Sequence, residues 1–176
     1  TKNRDRLLNQ ETARSFFRRL VDRARDLMSD EHFTVDGTLI EAWASQKSFQ
    51  RKDGGTDGDG RQFRGESRSN DTHASTTDPE ARLYRKSHNT GRHAYYSGHL
   101  LMEHRNALIV DAELTTADGD AERATALEML GRLPTSTRRR TVAGDKGYDT
   151  RGFIADARQL GFTPHVAQNT TRQRSA

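Results

Sequence analysis

Apolar and polar residues follow helical spacing in the first part of the chain and strand spacing directly after it. Residues 5–28 carry apolar side chains at helical intervals and arginines on much of the remaining surface, which predicts one amphipathic helix. Its arginine face is open to two interpretations, a DNA-facing surface or the solvated side of a packed helix, and the second is favoured. Residues 32–43, HFTVDGTLIEAW, then predict a buried strand interrupted by Asp36. We therefore expect an N-terminal helical segment, residues 1–30, and a domain of residues 31–176.

The second half of the chain alternates strand and helix patterns. Residues 92–104 and 106–117 predict a hairpin, because two runs of strand-forming residues flank a short turn. A helix, a strand, a helix and a strand are predicted to follow, at residues 118–133, 141–144, 150–161 and 162–167. Three strands followed by this alternation predict an α/β fold, with a mixed sheet flanked by helices.

Residues 46–82 differ in composition from the segments on either side. Between Phe49 and Ala81 the apolar side chains are only Phe63 and Ala74, among Gly, Asp, Ser, Thr, Arg and Lys. Such a segment buries too little surface to offset the entropy of ordering it. We therefore predict a long disordered insertion after the first strand.

Composition limits the classes of protein to which the chain can belong. Hydrophobic residues make up 31% of the 176 positions and the formal net charge is +4. Of the 29 basic residues 5 are lysines, so 24 are arginines, which suits phosphate contacts but also fits GC-rich codon usage. Cysteine is absent, which excludes disulfides and thiolate metal sites, and no apolar run is long enough to span a membrane. The expectation is a cytoplasmic protein with a polyanionic partner.

Two aspartates at corresponding strand positions are the strongest candidates for chemistry. Asp36 lies within the first predicted strand, Asp145 ends the strand at residues 141–144, and each is followed by glycine within two residues. Either alone fits a turn or cap residue. If the two strands lie parallel and adjacent, however, both carboxylates reach one edge of the sheet, where a Mg²⁺ ion relieves their repulsion. The candidate phosphate contacts are Lys86, Arg92, Arg138, Arg139, Arg140 and Lys146.

Four separated segments resemble one known family. FTVDGTLIEAWAS, GHLLMEHRNALIVDAELT, DGDAERATALEML and VAGDKGYDT together resemble DDE transposases of the IS4/IS5 superfamily of bacterial insertion sequences. The resemblance implies a ribonuclease-H-like fold and a catalytic triad of two aspartates and one glutamate that binds Mg²⁺ or Mn²⁺. Asp36 matches the first aspartate and Asp145 the second. The glutamate belongs to a helix beyond the last strand, which this sequence does not reach, so we expect a fragment that is inactive alone.

The resemblance also implies partners and a reaction. Metal-activated water attacks a phosphodiester at the end of the element, and the freed 3′-hydroxyl attacks the target DNA. The expected partners are therefore the element ends, the target DNA and a second copy in a homodimer, with no membrane and a nucleoid-associated location in the cytoplasm. Two alternatives remain open: another metal-dependent nuclease of the same fold, and a non-catalytic DNA-binding remnant of a decayed element.

Overall fold

A computed structural model describes residues 10–54, 68–85, 91–119 and 121–170. The described residues form three α-helices and eight strands. In chain order these are α1 (Gln10–Ala24), β1 (His32–Glu41), β2 (Phe49–Arg51), β3 (His73–Ser75), β4 (Arg82–Tyr84), β5 (His93–Glu103), β6 (Ile109–Thr116), α2 (Ala121–Arg132), β7 (Arg140–Gly144), α3 (Arg151–Gln159) and β8 (Phe162–Val166).

Six of the strands form one mixed sheet in the order β4-β5-β1-β7-β8, with β6 also paired to β5. Strand β7 runs parallel to both β1 and β8, whereas β4 and β5 are antiparallel. Parallel neighbours need a long crossover, and α3 supplies it between β7 and β8. The predicted ribonuclease-H-like mixed sheet with flanking helices is therefore confirmed.

The chain divides into two compact units. The first consists of Thr1–Val35, Leu101–Asp111 and Gly131–Ala176, and the second of Asp36–Leu100 and Ala112–Leu130. Strands β1, β5 and β6 each contribute residues to both units.

Aromatic contacts form much of the core of the first unit. Phe33 on β1 meets Phe162 on β8 edge to face, with 5.9 Å between ring centroids. Tyr148 and Phe153 pack with their centroids 5.1 Å apart, and both rings are buried. Burial of an aromatic ring contributes more apolar area than burial of any aliphatic side chain. These ring contacts therefore hold β1 against β8, and the turn after β7 against α3.

Glu103 is buried in the same unit, at the turn between β5 and β6. Its carboxylate accepts hydrogen bonds from four backbone N–H groups, those of Ser29, Arg105, Asn106 and Leu108, at 2.8–3.3 Å. Burial opposes ionisation, but these hydrogen bonds outweigh it, so the pKa of Glu103 lies below its ordinary value. The carboxylate thereby fixes the hairpin turn and joins it to the segment that precedes β1.

The predicted disorder of residues 46–82 is wrong for the parts that the structure describes. Strands β2 and β3 pair as a two-stranded antiparallel sheet, and Phe49 is buried with Ala44, Ala81, Leu83 and Ala94 in the core of the second unit. Residues 55–67 of the predicted insertion lie outside the described residues.

Polar side chains provide the order that the apolar content did not predict. The Asn70 side chain pairs with both backbone groups of Leu83, accepting from N at 2.7 Å and donating to O at 3.0 Å. Ser75 Oγ accepts from the N–H groups of Thr77 and Asp78, and Tyr96 Oη donates to Asp78 Oδ1 at 2.5 Å. Hydrogen bonds of this kind add to the burial of Phe49 and Ala81 as constraints on the segment.

Helix α1 does not bury its apolar stripe. Phe16 and Leu20 are 63% and 50% exposed, and Leu27, in the short 3-10 turn after the helix, is 66% exposed. The favoured interpretation of a packed helix is therefore wrong for these three residues. In the part of the chain that is described, no helix combines the length and apolarity needed to cross a membrane.

Candidate active site

Asp36 is exposed, although β1 was expected to bury it. Along β1 the buried residues are Phe33 and Val35, and Asp36 follows on the opposite side of the strand because side chains alternate. Among the described residues its side chain has no hydrogen bond or ion pair. Its carboxylate is therefore accessible to a ligand, and no cation is needed to account for its position.

Asp145 caps a turn at the end of β7. Its Oδ1 accepts a hydrogen bond from Gly147 N at 2.7 Å and so begins the short 3-10 turn Lys146–Tyr148. Tyr148 is buried against Gly144, where an added Cβ would lie 2.9 Å from its ring. The turn is thus anchored by a buried ring while the carboxylate itself is exposed. The cap interpretation of this residue is correct, and it leaves Asp145 accessible.

The two aspartates occupy equal positions relative to the register of β1 and β7. Within the first unit, β1 and β7 pair in parallel, and the last pair in the register is Thr34 with Ala143. Asp36, within β1, and Asp145, directly after β7, each lie two residues beyond that pair. Asp145 belongs to the first unit, and Asp36 is the residue at which the second begins. Among residues 10–54, 68–85, 91–119 and 121–170, no group of three or more His, Asp or Glu side chains could hold a metal ion.

A polar cleft of about 240 Å³ lies within the second unit, and Gly37, the residue after Asp36, lines it. Glu122, in the first turn of α2, packs against this glycine so closely that an added Cβ would lie 2.0 Å from Glu122 Oε1. Asp118 and Tyr84 also line the cleft. Sequence reasoning missed Glu122, although the glycine next to Asp36 was a signal of close approach.

His99 lines the same cleft and is almost completely buried. One ring nitrogen, Nε2, shares a hydrogen bond with Thr115 Oγ1 at 2.8 Å, whereas Nδ1 has no partner among the described residues. Burial lowers the pKa of His99 below its ordinary value, and the charge of Glu113 partly opposes the shift. The side chain is therefore predominantly neutral at physiological pH.

Three of the predicted phosphate contacts are exposed in the first unit, namely Arg138, Arg139 and Lys146. Arg138 lies 4.0 Å from the carboxylate of Glu31, with 74% of its side chain exposed. Arg139 donates from Nε to Thr163 Oγ1 at 3.4 Å. Their charges are therefore available to a polyanion.

Arg140 is not available in this way, which corrects the prediction made for it. It is buried, its guanidinium lies over the Phe162 ring, and it donates to the backbone oxygen of Pro134. Arg140 Nε is also 3.6 Å from Asp30 Oδ1. A guanidinium held on all sides by its own protein does not reach a phosphate.

Arg92 and Lys86 are the two remaining predicted contacts. Arg92 is half-buried in the second unit, where its side chain donates to the backbone oxygen of Arg68 and its own backbone oxygen accepts from Gln46. Lys86 lies outside the described residues.

The chain belongs to the family of transposase DDE domains, whose model matches residues 28–175. No curated protein matches it. Among solved structures, it is similar to a piggyBac transposase in a cryo-EM structure of the synaptic complex with hairpin DNA, with 9% sequence identity and a TM-score of 0.49. The similarity covers 96% of this chain and 32% of the other, so the chain spans about a third of that transposase.

Proposed function

We propose that the chain is part of a bacterial insertion-sequence transposase of the IS4/IS5 superfamily, in which Asp36 and Asp145 hold Mg²⁺ or Mn²⁺. The parallel register of β1 and β7 is the observation that supports this, because each aspartate follows the last register pair by two residues. Equal offsets along neighbouring parallel strands lead to the same edge of a sheet, where active sites of α/β folds commonly lie.

The two carboxylates have the chemistry that such a metal requires. Mg²⁺ and Mn²⁺ prefer oxygen ligands, and Mg²⁺ often keeps several waters while using one or two carboxylates. Asp36 has no partner among the described residues, and Asp145 is held in place through Oδ1 by the Gly147 N–H. One side chain is thus preorganised for a ligand, and the other is unengaged.

The reaction is phosphoryl transfer on DNA. When bound, the metal supplies charge neutralisation at the reacting phosphate. The aspartates contribute by positioning, which carries most of the catalysis in reactions of this class. In the first step water displaces one phosphodiester oxygen and frees a 3′-hydroxyl at the end of the element. In the second step that hydroxyl displaces an oxygen of the target strand, so one phosphodiester bond forms as another breaks.

A third acidic residue completes the proposed site. The resemblance assigns it to a glutamate on a helix after the last strand, which corresponds to sequence beyond β8. We therefore expect a polypeptide extended through that helix to cleave a DNA end in Mg²⁺, and the 176-residue chain to cleave it orders of magnitude more slowly, because misplaced ligands are costly.

DNA is the proposed partner, bound at the element ends and at the target by a cytoplasmic, nucleoid-associated homodimer. The exposed Arg138, Arg139 and Lys146 are the proposed phosphate contacts in the first unit, and Arg92 is the one proposed in the second. Lys86 stays a proposed contact on the basis of sequence alone. Binding that depends on such contacts weakens steeply with salt because counterions are released.

Metal binding tests the pairing of the two aspartates directly. Mn²⁺ is titrated calorimetrically into the chain and into Asp36→Asn and Asp145→Asn, with Asp156→Asn, an exposed aspartate on α3, as the matched control. Each of the first two substitutions should weaken binding by roughly tenfold or more, since loss of an outer partner alone costs about 10- to 100-fold. Wild-type affinity in either variant would contradict the proposal.

The extended polypeptide distinguishes the function classes. Strand-transfer products on a DNA gel support a transposase, whereas cleavage without strand transfer favours another nuclease of the same fold. Salt-sensitive DNA binding with neither product favours a non-catalytic remnant. Asp36→Asn and Asp145→Asn should abolish both products, while Asp156→Asn should leave them unchanged.

A further inference from the structure

Trp43, the only tryptophan in the chain, is 99% exposed. It lies two residues after the end of β1, in the second unit. Tryptophan is highly buried on average, because its indole offers more apolar area than any other side chain. The fully solvated indole is therefore accessible to a binding partner.

The two neighbours of Trp43 hold its backbone in place. Ala44 is 6% exposed within the core that contains Phe49 and Ala94, and Ala42 packs against the same core. The Ala42 N–H also donates to Ala94 O at 2.8 Å. With small side chains directed inward on both sides, the backbone directs the indole outward. The ring is thus presented by an ordered segment, which reduces the entropy that a partner's binding costs.

Positive charge accompanies this segment. Lys47 is exposed four residues after Trp43. Gln46 joins the segment to two arginines, since its side chain donates to Arg92 O and its backbone oxygen accepts from Arg68. The Arg68 guanidinium keeps its full charge in its bond to Gln46, and the Arg92 guanidinium keeps its charge while it donates to Arg68 O, because guanidinium does not lose its proton in proteins. Trp43 thus has one cationic side chain near it in sequence and others linked to its segment by hydrogen bonds. An exposed aromatic ring accompanied by cationic side chains is the combination that binds single-stranded nucleic acid.

We propose that Trp43 stacks on an unpaired base of the DNA strand that the chain holds. The inference rests on the proposed function, from which it takes DNA as the partner. It adds a contact that the proposed function does not require. A paired base inside a duplex has both faces covered by its neighbours, so the indole selects an unpaired base. Five residue steps of β1 separate Asp36 from Glu41, about 17 Å at strand rise, and Trp43 follows two residues later. The stacked base therefore lies several nucleotides from the phosphate at Asp36.

The single tryptophan makes the test direct. Its fluorescence is followed while the 176-residue chain is titrated with a single-stranded oligonucleotide, and in parallel with a hairpin-capped duplex of the same sequence that has no free ends. Binding is measured independently by the anisotropy of labelled DNA at low salt. We expect saturable quenching with the single strand, at the same midpoint as the anisotropy, and much less quenching with the capped duplex.

Substitutions separate stacking from general affinity. Trp43→Ala should raise the Kd for the single strand roughly 5- to 150-fold, the range that corresponds to loss of one base stack, and Trp43→Phe should restore most of the affinity. Leu114→Ala, which removes a 51% exposed apolar side chain from the same unit, is the matched control and should leave the Kd unchanged. The affinity for the capped duplex should be the same in all four proteins.

Each contrary result has its own meaning. If the single strand binds by anisotropy but does not quench the wild-type emission, and Trp43→Ala has the wild-type Kd, the stacking inference is wrong and DNA binding stands. If neither DNA binds at low salt, the proposed DNA partner is wrong. If the wild-type emission instead depends on protein concentration without DNA, and sedimentation shows a self-association that Trp43→Ala abolishes, the indole contacts a second copy of the chain and the inference is overturned.

Discussion

The guanidinium of Arg140 lies over the ring of Phe162, with 5.0 Å between Cζ and the ring centroid. The contact joins β7 to β8 within the first unit, and Arg140 also donates to Pro134 O near the start of β7. A residue that composition and sequence position suggested as a DNA contact is therefore part of the core.

Arg140→Lys should lower the free energy of unfolding by about 1–3 kcal/mol. Lysine retains the charge but loses the planar face over Phe162 and the fork that reaches Pro134. Urea unfolding followed by circular dichroism measures the change. The affinity for DNA should be unaffected, whereas Arg139→Lys, at the exposed neighbouring position, should leave stability within about 0.5 kcal/mol of wild type. Weaker DNA binding by Arg140→Lys at unchanged stability would show that the side chain faces the DNA after all.

Glu103→Gln should destabilise the protein by about 2–3 kcal/mol at neutral pH. The carboxylate accepts hydrogen bonds from four N–H groups through its two oxygens. The amide has only one oxygen to accept them, and its NH₂ group repels the N–H groups that faced the other oxygen. The exposed Glu128→Gln on α2 is the control and should change stability little.

The effect of Glu103→Gln should depend on pH with a definite sign. Since folding lowers the pKa of Glu103, its stabilising contribution is complete above the ordinary glutamate pKa of 4.5 that holds in the unfolded chain. The contribution is then lost as the pH falls through the lower pKa of the folded state. The difference in unfolding free energy between wild type and variant should be constant from about pH 6 to 8 and should shrink below about pH 4. A difference that grows on acidification would show that folding raises this pKa.

The sequence predicted the elements with strong periodicity, and it failed where polar contacts determine the structure. Strands β1, β5, β6, β7 and β8 and the three helices carry apolar residues at clear intervals and were found within a few residues of their ends. Strands β2, β3 and β4 are three residues each, too short for a period to show, and their order depends on contacts such as that of Asn70 with Leu83. When a side chain bonds to a residue that is distant in sequence, the residues around it carry no sign of that bond.

The candidate site was predictable to a similar extent. The order of the predicted strands indicated that the strand of Asp36 and the strand before Asp145 are parallel neighbours. The register of β1 and β7 confirms that these two strands are paired in parallel. The position of Glu122 on Gly37 was not predictable, because it depends on where α2 begins relative to β1. The exposure of Trp43 was not predictable either, since its apolar neighbours favour a buried strand in sequence.

Tyr96 should ionise with a pKa of about 12 rather than its ordinary 10. Burial is the largest cause, and the hydrogen bond that its hydroxyl donates to Asp78 adds to the shift. Phenolate absorbance of wild type minus that of Tyr96→Phe isolates this group, and Asp78→Asn should move the midpoint toward 10. Because folding raises the pKa, the stability that it contributes is complete below pH 10 and is lost as the pH rises toward 12. An isolated midpoint near 10 would contradict the hydrogen bond.

The contact between Gly37 and Glu122 can be tested by a double substitution. Gly37→Ala places a Cβ at 2.0 Å from Glu122 Oε1, so the flexible Glu122 side chain must leave its present rotamer, at an expected cost of about 0.5–1.5 kcal/mol. Glu122→Ala removes the obstacle, and the pair of substitutions should therefore cost clearly less than the sum of the two single changes. Gly152→Ala is the matched control, because nothing lies within 4 Å of its added Cβ, and in α3 it should stabilise by roughly 0.5–1 kcal/mol. Unfolding in urea gives the unfolding free energies of the wild type and of the four variants. Strict additivity of the Gly37 and Glu122 changes would place the Glu122 carboxylate away from the strand.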